Sequence, residues 1–508
     1  MSAVVEIDNN VLPKNWITLP IGELGNAITG NTPPTKDTEN YGGELPFIKP
    51  TELVDKGVSS GRETISEIGA KNARILPSGG VLVSCIGYLG KTAIAKREVA
   101  FNQQINAIVF NEAVLPEYGF YYFQSPKFRK DLESLASGTT ISIVNKSKFE
   151  SINIPLAPPE QQKRIVAKIE ELFSHIDAGI EALKKAKQLL KQYRQSVLKA
   201  AVTGELTKEW REANKDDAQG SANVSGGRTP GATKLEPASQ LLERILKERR
   251  QKWEEHQLEQ FKAKGKMPKD VKWKEKYKEL ELCTTDQLKK FPELPVGWIY
   301  TRLGNLVDDP KYGTSKKCSY DVDGKGVLRI PNIGNGVIDP VNVKYALFDD
   351  AEIITYGLKE GDILTIRSNG SPKLVGKCAL IRECDIKYLY AGYLIRLRPN
   401  QIVASGMYLI NSLNTSHLRQ QIESKAKSTS GVNNINGGEL QSLIVSICSI
   451  EEQTEINSIV EEKLVSMERL VVELELQLIK AEKNKQSILA SAFAGKLNDM
   501  RIQFNGTS

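Results

Sequence analysis

Apolar residues recur three and four positions apart over two long stretches of the chain, about residues 160–202 and 451–493. This spacing places them along one side of an α-helix and is typical of a coiled-coil seam. Pro158 and Pro159 precede the first stretch and Gly204 follows it, as expected for the start and the end of a helix. The predicted seam comprises Ile165, Ile169, Leu172, Ile176, Leu183, Leu190, Ile456, Val460, Met467, Val471, Leu474 and Leu478.

Two helices of this length, roughly 65 Å each at ~1.5 Å per residue, are longer than a domain of ~150 residues is wide. We therefore expect the two seams to pack against each other as an antiparallel pair. Such a pair relates the two halves of the chain by an approximate two-fold axis. The alternative is that each helix is buried on its own domain.

The segments that precede the helices, residues 1–158 and 291–449, alternate short apolar runs with Gly, Pro and Asn. Gly80–Ser84 and Gly361–Ile366 predict β-strands, because such runs are short, apolar and bounded by turn residues. Tyr118–Leu135 instead has the pattern of a helix. Each segment is predicted to be a mixed α/β domain with a β-rich core.

The two halves of the chain repeat each other. Leu12–Ile17 returns as Leu294–Ile299, 282 positions later, and residues 160–206 match residues 451–497 without a gap. An ordered series of matches at nearly one offset indicates duplication. The predicted fold class is α/β (mixed α+β), with two similar β-rich domains joined by two long antiparallel coiled-coil helices and a pseudo-two-fold internal repeat.

A third kind of segment separates the halves. Residues 211–235 have the composition of a linker, and residues 237–264 resume a helical pattern rich in charge. Residues 264–278 are rich in lysine, which suits either a phosphate backbone or a solvated helix face. The predicted division is 1–158 and 291–449 for the two domains, 159–210 and 450–500 for the long helices, and 211–290 for the linker and charged helical insert.

Composition narrows the possible functions only slightly. The 508 residues carry 69 Lys and Arg against 62 Asp and Glu, a net charge of +7, which permits nucleic-acid binding without requiring it. The six cysteines form no C-x-x-C pair and the three histidines are scattered, so no metal site is expected. No apolar run reaches the ~20 residues of a membrane helix, and the acidic N-terminus lacks a signal-peptide core. We expect a cytoplasmic protein without a membrane partner.

The chain contains near misses to catalytic motifs. Residues 85–92 resemble the end of a phosphate-binding loop, but Cys85 stands where that loop needs its first glycine. Residues 309–312 resemble the Asp-Pro-Pro-Tyr loop of amino-methyltransferases, but Lys311 replaces the second proline. Residues 31–34 are a further near miss, and no glycine-rich loop for S-adenosylmethionine accompanies either segment. We therefore predict no catalytic residue and no metal in this chain.

Taken together, the motifs resemble those of the specificity subunit of type I restriction–modification enzymes, and the resemblance covers essentially the whole chain. They are Leu12-Pro-x-x-Trp16 and its copy Leu294-Pro-x-x-Trp298, residues 155–162 leading into the first helix, the helix end at 196–206 with its copy at 487–497, and the insert at 241–277. Residues 447–453 depart from the family by lacking its proline-rich helix entrance.

The resemblance implies a division of labour among subunits. Each α/β domain is expected to recognise one half of a bipartite, asymmetric site on double-stranded DNA, while the helical pair sets the spacer and docks two methyltransferase subunits. Through these, two restriction subunits join the complex. S-adenosylmethionine, Mg²⁺ and ATP then belong to the partner subunits, and this chain needs no cofactor. The alternatives are a self-sufficient DNA methyltransferase and a coiled-coil scaffold that binds only proteins.

Residues that contact DNA are predicted from chemistry, because the resemblance does not fix them. Forked donors and amides recognise bases, whereas Lys, Ser, Thr and backbone N–H groups hold phosphates. The strongest candidate is the loop at Arg367–Ser371, which follows a strand-like run; an ordinary surface turn is the alternative for each loop. The candidates are Lys49, Thr51, Tyr88, Lys91, Thr139, Lys316, Lys317, Arg329, Asn332, Arg367, Asn369, Lys373 and Lys377.

Overall fold

The computed structural model describes residues 12–138, 140–214, 236–265, 267–268, 270–277, 279–308, 310–400, 405–429 and 431–497. The chain divides into two compact units, Met1–Ala186 with Val472–Ser508, and Lys187–Val471. The first unit holds residues 12–158, here called the first head, and the second unit holds residues 291–449, the second head. Each unit also holds one part of each long helix.

The first head is built mainly from short strands. They are β1 (Ile17–Pro20), β2 (Gly25–Thr29), β3 (Tyr41–Ile48), β4 (Gly57–Val58), β5 (Glu63–Ile65), β6 (Ile75–Leu76), β7 (Val81–Ser84), β8 (Thr92–Ala95), β9 (Val99–Phe101), β10 (Ile105–Phe110) and β11 (Asn153–Leu156). Its helices are α1 (Glu67–Asn72), α2 (Pro116–Phe123), α3 (Pro126–Ser134) and α4 (Lys146–Glu150), with 3-10 turns at Ile21–Glu23, Thr38–Asn40 and Pro50–Glu52. The sheets have the orders β2-β10-β7-β8-β4, β5-β3-β9-β6 and β1-β11.

In the sequence, the first long helix and the insert follow the first head and precede the second. These helices are α5 (Pro159–Thr203), α6 (Lys208–Ala213), α7 (Ala238–Ala263) and α8 (Thr285–Leu288), with a 3-10 turn at Lys272–Lys276.

The second head repeats the plan of the first. Its strands are β12 (Ile299–Arg302), β13 (Lys311–Tyr312), β14 (Lys325–Leu328), β15 (Gly336–Val337), β16 (Lys344–Ala346), β17 (Ile363–Ile366), β18 (Ser368–Asn369), β19 (Cys378–Leu380), β20 (Leu389–Tyr390), β21 (Leu394–Leu397), β22 (Lys427–Thr429), β23 (Val432–Asn434) and β24 (Ile444–Ile447). Its helices are α9 (Leu303–Leu306), α10 (Asp350–Tyr356), α11 (Gly406–Leu413), α12 (Ser416–Lys425) and α13 (Gly437–Gln441), with 3-10 turns at Ile330–Asn332 and Glu383–Asp385. The second long helix, α14 (Ile450–Phe493), follows.

Matching strands take matching places in the two heads. The second head has the sheets β13-β21-β17-β19-β15, β16-β14-β20 and β12-β24, plus a small sheet β18-β23-β22. Val81 lies opposite Ile94 in the first head, and Ile363 lies opposite Leu380 in the second. The offset grows from 282 in one strand to 286 in the next, because the connecting loops differ in length. The expected mixed α/β class with an internal repeat is confirmed.

One predicted element differs in the structure. The helix expected over Tyr118–Leu135 is two helices, α2 and α3, with a break at Gln124 and Ser125. The Ser125 hydroxyl accepts the N–H of Phe128 at 3.3 Å and so caps α3. Pro126 sits in the first turn, where its missing N–H has no partner to lose.

In the first unit, the start of α5 packs against the end of α14 in an antiparallel manner. Lys485 forms an ion pair with Asp177, and nearer the end of α14, Ala492 lines a cavity together with Ile165. Residue numbers therefore rise along one helix as they fall along the other. All the predicted seam residues named above are buried or half-buried.

The second unit repeats this packing with equivalent residues. Val197 and Leu198 share a core with Ile456 and Val460. They stand 291 positions before Ile488 and Leu489, which occupy the core of the first unit.

The insert contributes to the core of the second unit. Its helix α7 buries Ala238, Leu241, Leu242 and Ile245 in that core. The charged end of α7 is held differently. Trp253 stacks on Trp273 at 5.9 Å between ring centroids, and Lys274 forms an ion pair with Glu254 at 2.6 Å.

Candidate nucleic-acid interface

A cleft of about 750 Å³ opens in the second head. Five basic side chains line it, and two tyrosines, Tyr312 and Tyr393, lie among them. The basic residues are Lys316, Lys317, Arg329, Lys344 and Arg367. No aspartate or glutamate lies among the described residues of the lining. A site of this composition attracts an anion and offers aromatic faces to a planar group.

The cleft is assembled at strand ends, where the backbone leaves the sheets. Arg367 directly follows β17, Arg329 directly follows β14, and Lys344 begins β16 next to β14. Both arginines were among the residues predicted from the sequence. Lys344 was not, because its place in the cleft depends on the register of β16 against β14. The tyrosines were also not predicted.

The Arg367 side chain is held in place by two contacts. Its Nε donates to Asn434 Oδ1 at 3.3 Å, and its Cζ lies 4.8 Å from the centroid of the Tyr312 ring. Its backbone N–H donates to the carbonyl of Tyr393 at 2.8 Å. The two terminal nitrogens have no hydrogen-bond partner among the described residues. A guanidinium restrained in this way keeps two donors available for a ligand.

Arg329 and Lys344 place further positive charge in the cleft. Arg329 Nη2 donates to the carbonyl of Asn342 at 2.6 Å, while its buried Nε has no hydrogen-bond partner among the described residues. Lys344 Nζ lies 4.9 Å from the centroid of the Tyr320 ring. Burial raises the pKa of the Cys318 thiol, and the charges of Arg329 and Lys344 oppose that rise. Arg329 and Lys344 therefore both lie close to Cys318 in the lining of the cleft.

The two lysines of the neighbouring loop differ from each other. Lys316 Nζ forms an ion pair with Glu352 at 2.6 Å and donates to the carbonyl of Leu347 at 2.8 Å. The hydrogen bond from Lys316 lowers the pKa of the Glu352 carboxyl. Lys316 thus fixes the loop, whereas Lys317 is exposed and has no ion-pair partner in the described part of the chain.

One predicted DNA contact is wrong. Asn332 is 0% exposed, and its amide donates to the carbonyls of Asp339 and Val341, both at 2.9 Å. Its Oδ1 accepts the N–H of Arg329 at 2.9 Å. Because every polar atom of this side chain is bonded inside the fold, Asn332 shapes the loop behind the cleft and does not face a ligand.

Other candidates in the second head lie outside the lining of the cleft. Asn369 belongs to β18, and its Oδ1 accepts the N–H of Ser371 at 2.9 Å, which tightens the turn. Lys373 is exposed and Lys377 is half-buried.

The first head places its candidates in two regions. Tyr88 is 67% exposed at the tip of the β7–β8 hairpin, and Lys91 Nζ lies 5.4 Å from the centroid of its ring. Lys49 forms an ion pair with Glu63, and Thr51 is exposed nearby. Thr139 lies outside the described residues.

The near misses to catalytic motifs take ordinary structural places. Cys85 is 2% exposed, and residues 85–91 connect β7 to β8 rather than leading into a helix. Lys311 and Tyr312 form β13, while Asp309 lies outside the described residues. Among the described residues, no group of His, Cys, Asp and Glu side chains could hold a metal ion. None of the described helices is both long and apolar enough to span a membrane.

The junction of head and long helix is built alike in both units. Trp16 Nε1 donates to Gln161 Oε1 at 2.9 Å, and Trp298 Nε1 donates to Glu452 Oε2 at 2.8 Å. The second junction adds charge, because Arg211 forms an ion pair with the buried Glu452 carboxylate. Each head is therefore fixed to the start of its helix at the same point.

Comparison with known proteins agrees with this architecture. Residues 13–190 match a family model described as the type I restriction modification DNA specificity domain. The chain is 24% identical over 497 residues to the EcoKI specificity subunit of Escherichia coli (strain K12), covering 96% of this chain and 90% of that protein. It is 31% identical over 210 residues to the MjaIX specificity subunit of Methanocaldococcus jannaschii, covering 40% of this chain and 46% of that protein.

A solved structure from work on complex assembly and conformational transition of the type I R-M system has the same fold. It matches with a TM-score of 0.63 and 18% identity, covering 96% of this chain and 99% of that one.

Proposed function

The chain belongs to the family of type I restriction–modification DNA specificity subunits, and from this we propose that each head recognises one half of a bipartite DNA site. The observation that carries the proposal is the pair of heads with one strand order and different side chains at the equivalent surface. A single backbone fold that occurs twice, with different side chains at the binding surface, suits an asymmetric DNA site. The chain itself contributes no catalytic group and no cofactor in this proposal.

The long helices are proposed to set the spacing between the two half-sites. Each is unbroken, with 45 residues in α5 and 44 in α14, and each has residues in both units. Two binding modules on a connector gain affinity when the connector matches the separation of their targets. A helical connector has a fixed rise per residue, so it selects one spacer length.

The helices are also proposed to dock two methyltransferase subunits. Apolar side chains on both long helices stay exposed: Leu189, Tyr193, Val465 and Leu470 in the second unit, and Val472, Leu476 and Ile479 in the first. We propose that these side chains contact the partner subunits. Adenine methylation with S-adenosylmethionine then belongs to those subunits. Restriction subunits, with Mg²⁺ and ATP, join the complex through them.

Mapping methylated adenines in DNA from cells that contain the chain tests the proposal. We expect a motif of two different short sequences separated by a fixed gap, and loss of that motif when the chain is deleted. Removing one heptad from both α5 and α14 is expected to shorten the gap. A motif that persists without the chain contradicts the proposal. So does methyl transfer from labelled S-adenosylmethionine to DNA by the purified chain alone.

A further inference from the structure

The backbone position of Arg367 in the second head is that of Cys85 in the first. The N–H of Cys85 donates to Gln104 and its carbonyl accepts from Val144, both at 2.8 Å. Arg367 makes the same pair of bonds, to the Tyr393 carbonyl at 2.8 Å and from the Ile435 N–H at 2.9 Å. The fold therefore accepts a small buried residue at this position, and it does not require an arginine.

The contacts of Arg367 suit recognition rather than folding. Asn434 holds Nε and the Tyr312 ring lies against the guanidinium, so the plane of the group is fixed. Neither terminal nitrogen has a hydrogen-bond partner in the described part of the chain. Two parallel N–H donors in a fixed plane match the O6 and N7 acceptors of guanine in the major groove. A donor pair that is already ordered loses less conformational entropy on binding.

The neighbouring cations differ between the heads in a similar way. Glu63 on β5 lies opposite Phe47 on β3. In the same register of the second head, Lys344 on β16 lies opposite Val327 on β14. In the first head, Glu63 neutralises Lys49. In the second head the equivalent pair is Lys344 and Arg329, and neither has a carboxylate partner among the described residues. Two cations without a carboxylate partner among the described residues, next to an arginine that contacts a base, are suited to bind a phosphate of the same DNA segment.

Building on the proposed function, we propose that the second half-site contains a guanine, which Arg367 recognises through N7 and O6 while Arg329 and Lys344 hold an adjacent phosphate. The first head has Cys85 at the equivalent position, so its half-site is recognised through other residues. The exposed Tyr88 and Lys91 are its candidates.

The experiment begins with the full-length wild-type chain and selection of bound sequences from random duplex DNA. A bipartite site is expected here; its absence overturns the proposed function and, with it, the role of Arg367. Each guanine of the second half-site is then replaced by 7-deazaguanine, which lacks the N7 acceptor. At one position we expect an affinity loss of about 10-fold or more, the scale of a bidentate base contact. If no guanine in that half-site responds, the proposal is wrong while the proposed function stands.

Variants of the arginine assign the contact. For Arg367→Ala, which removes the donors to both N7 and O6, we expect a loss on normal DNA that is at least as large, and no further loss with 7-deazaguanine. Arg367→Lys keeps the charge but not the fork, so discrimination should still fall, and this variant serves if the alanine variant does not fold. Lys387→Ala removes an exposed charge from the same head outside the cleft and is the matched control. A 7-deazaguanine effect that persists at full size in both Arg367 variants contradicts the assignment.

The phosphate contact has a different signature. Lys344→Ala is expected to weaken binding to all sequences alike and to reduce the dependence of log affinity on log salt by about one. A sequence-specific loss at Lys344 would place it on a base instead, and a uniform loss at Arg367 would place that residue on a phosphate.

Discussion

Strand β5 of the first head and strand β16 of the second occupy the same position, yet they present opposite charges. Glu63 on β5 forms an ion pair with Lys49, whereas Lys344 on β16 faces a cleft that also contains Arg329. The strand order and the register around them are the same. Backbone pairing thus fixes the frame, and the side chains at the strand ends are free to differ. A duplicated protein can change what each head binds without changing how each head folds.

The two units also differ at the junction between head and long helix. Both join a tryptophan to the first turn of a long helix, but Gln161 in the first unit is replaced by the buried Glu452 in the second. Thr207 donates to the same carboxylate at 2.7 Å, and Arg211 pairs with it. The second junction therefore depends on a charge network where the first depends on one neutral hydrogen bond.

The largest expected effect separates these junctions. Glu452→Ala leaves Arg211 without its buried partner, and we expect it to lower the free energy of unfolding of the second unit by about 3–5 kcal/mol. Gln161→Ala removes one partly buried hydrogen bond and should cost the first unit about 0.5–1.5 kcal/mol. Urea titration followed by hydrogen exchange in peptides of each unit measures both values. Equal losses would show that the charge network adds nothing.

An intermediate effect is expected at a feature that the two junctions share, the glycine that ends each long helix. Gly204 and Gly495 both end their helices with positive φ, 77° and 72°, and a Cβ at either would collide with a proline, Pro295 or Pro13. Because both the backbone conformation and the contact exclude a side chain, Gly→Ala should destabilise each unit by about 1–3 kcal/mol, and by similar amounts. Thermal unfolding of the two single variants makes the comparison. A loss confined to one unit contradicts the equivalence of the junctions.

The smallest expected effect exchanges the charges of the two heads. Lys344→Glu gives Arg329 the carboxylate that Lys49 already has, so we expect DNA affinity to fall about 3- to 10-fold and the salt dependence to weaken by about one phosphate contact. Glu63→Lys should raise affinity by removing the partner of Lys49. Fluorescence anisotropy over a range of salt concentrations measures both, with Lys344→Met as the neutral control. If both substitutions change affinity in the same direction, charge does not distinguish the heads.

The long helices and the repeat could be predicted because their signals are periodic. A heptad seam shows on any stretch long enough to repeat it, and Pro159 and Gly204 mark its limits. The strand register could not be predicted, because loops shift the offset between equivalent residues from 280 at Lys49 and Arg329 to 291 at Val144 and Ile435.

Individual contact residues were harder to predict for the same reason. Asn332 has the composition of a base contact, but its role depends on the loop carbonyls that surround it. Nothing in the sequence around Lys344 predicts a role for it, because its place in the cleft depends on the pairing of β16 with β14. The position of Arg367 at a strand end in the cleft, by contrast, could be predicted, because the residue directly follows an apolar run that forms a strand.

Replacing one head by the other tests the central claim most directly, that two copies of one frame each recognise their own half-site. The equivalent junctions allow residues 294–449 to be exchanged for a second copy of residues 12–158, with both long helices left intact. Selection of bound sequences from random duplex DNA then identifies the site of this chimaera. We expect a site that contains the first half-site twice and the second not at all. A folded chimaera that still selects the original second half-site would contradict it.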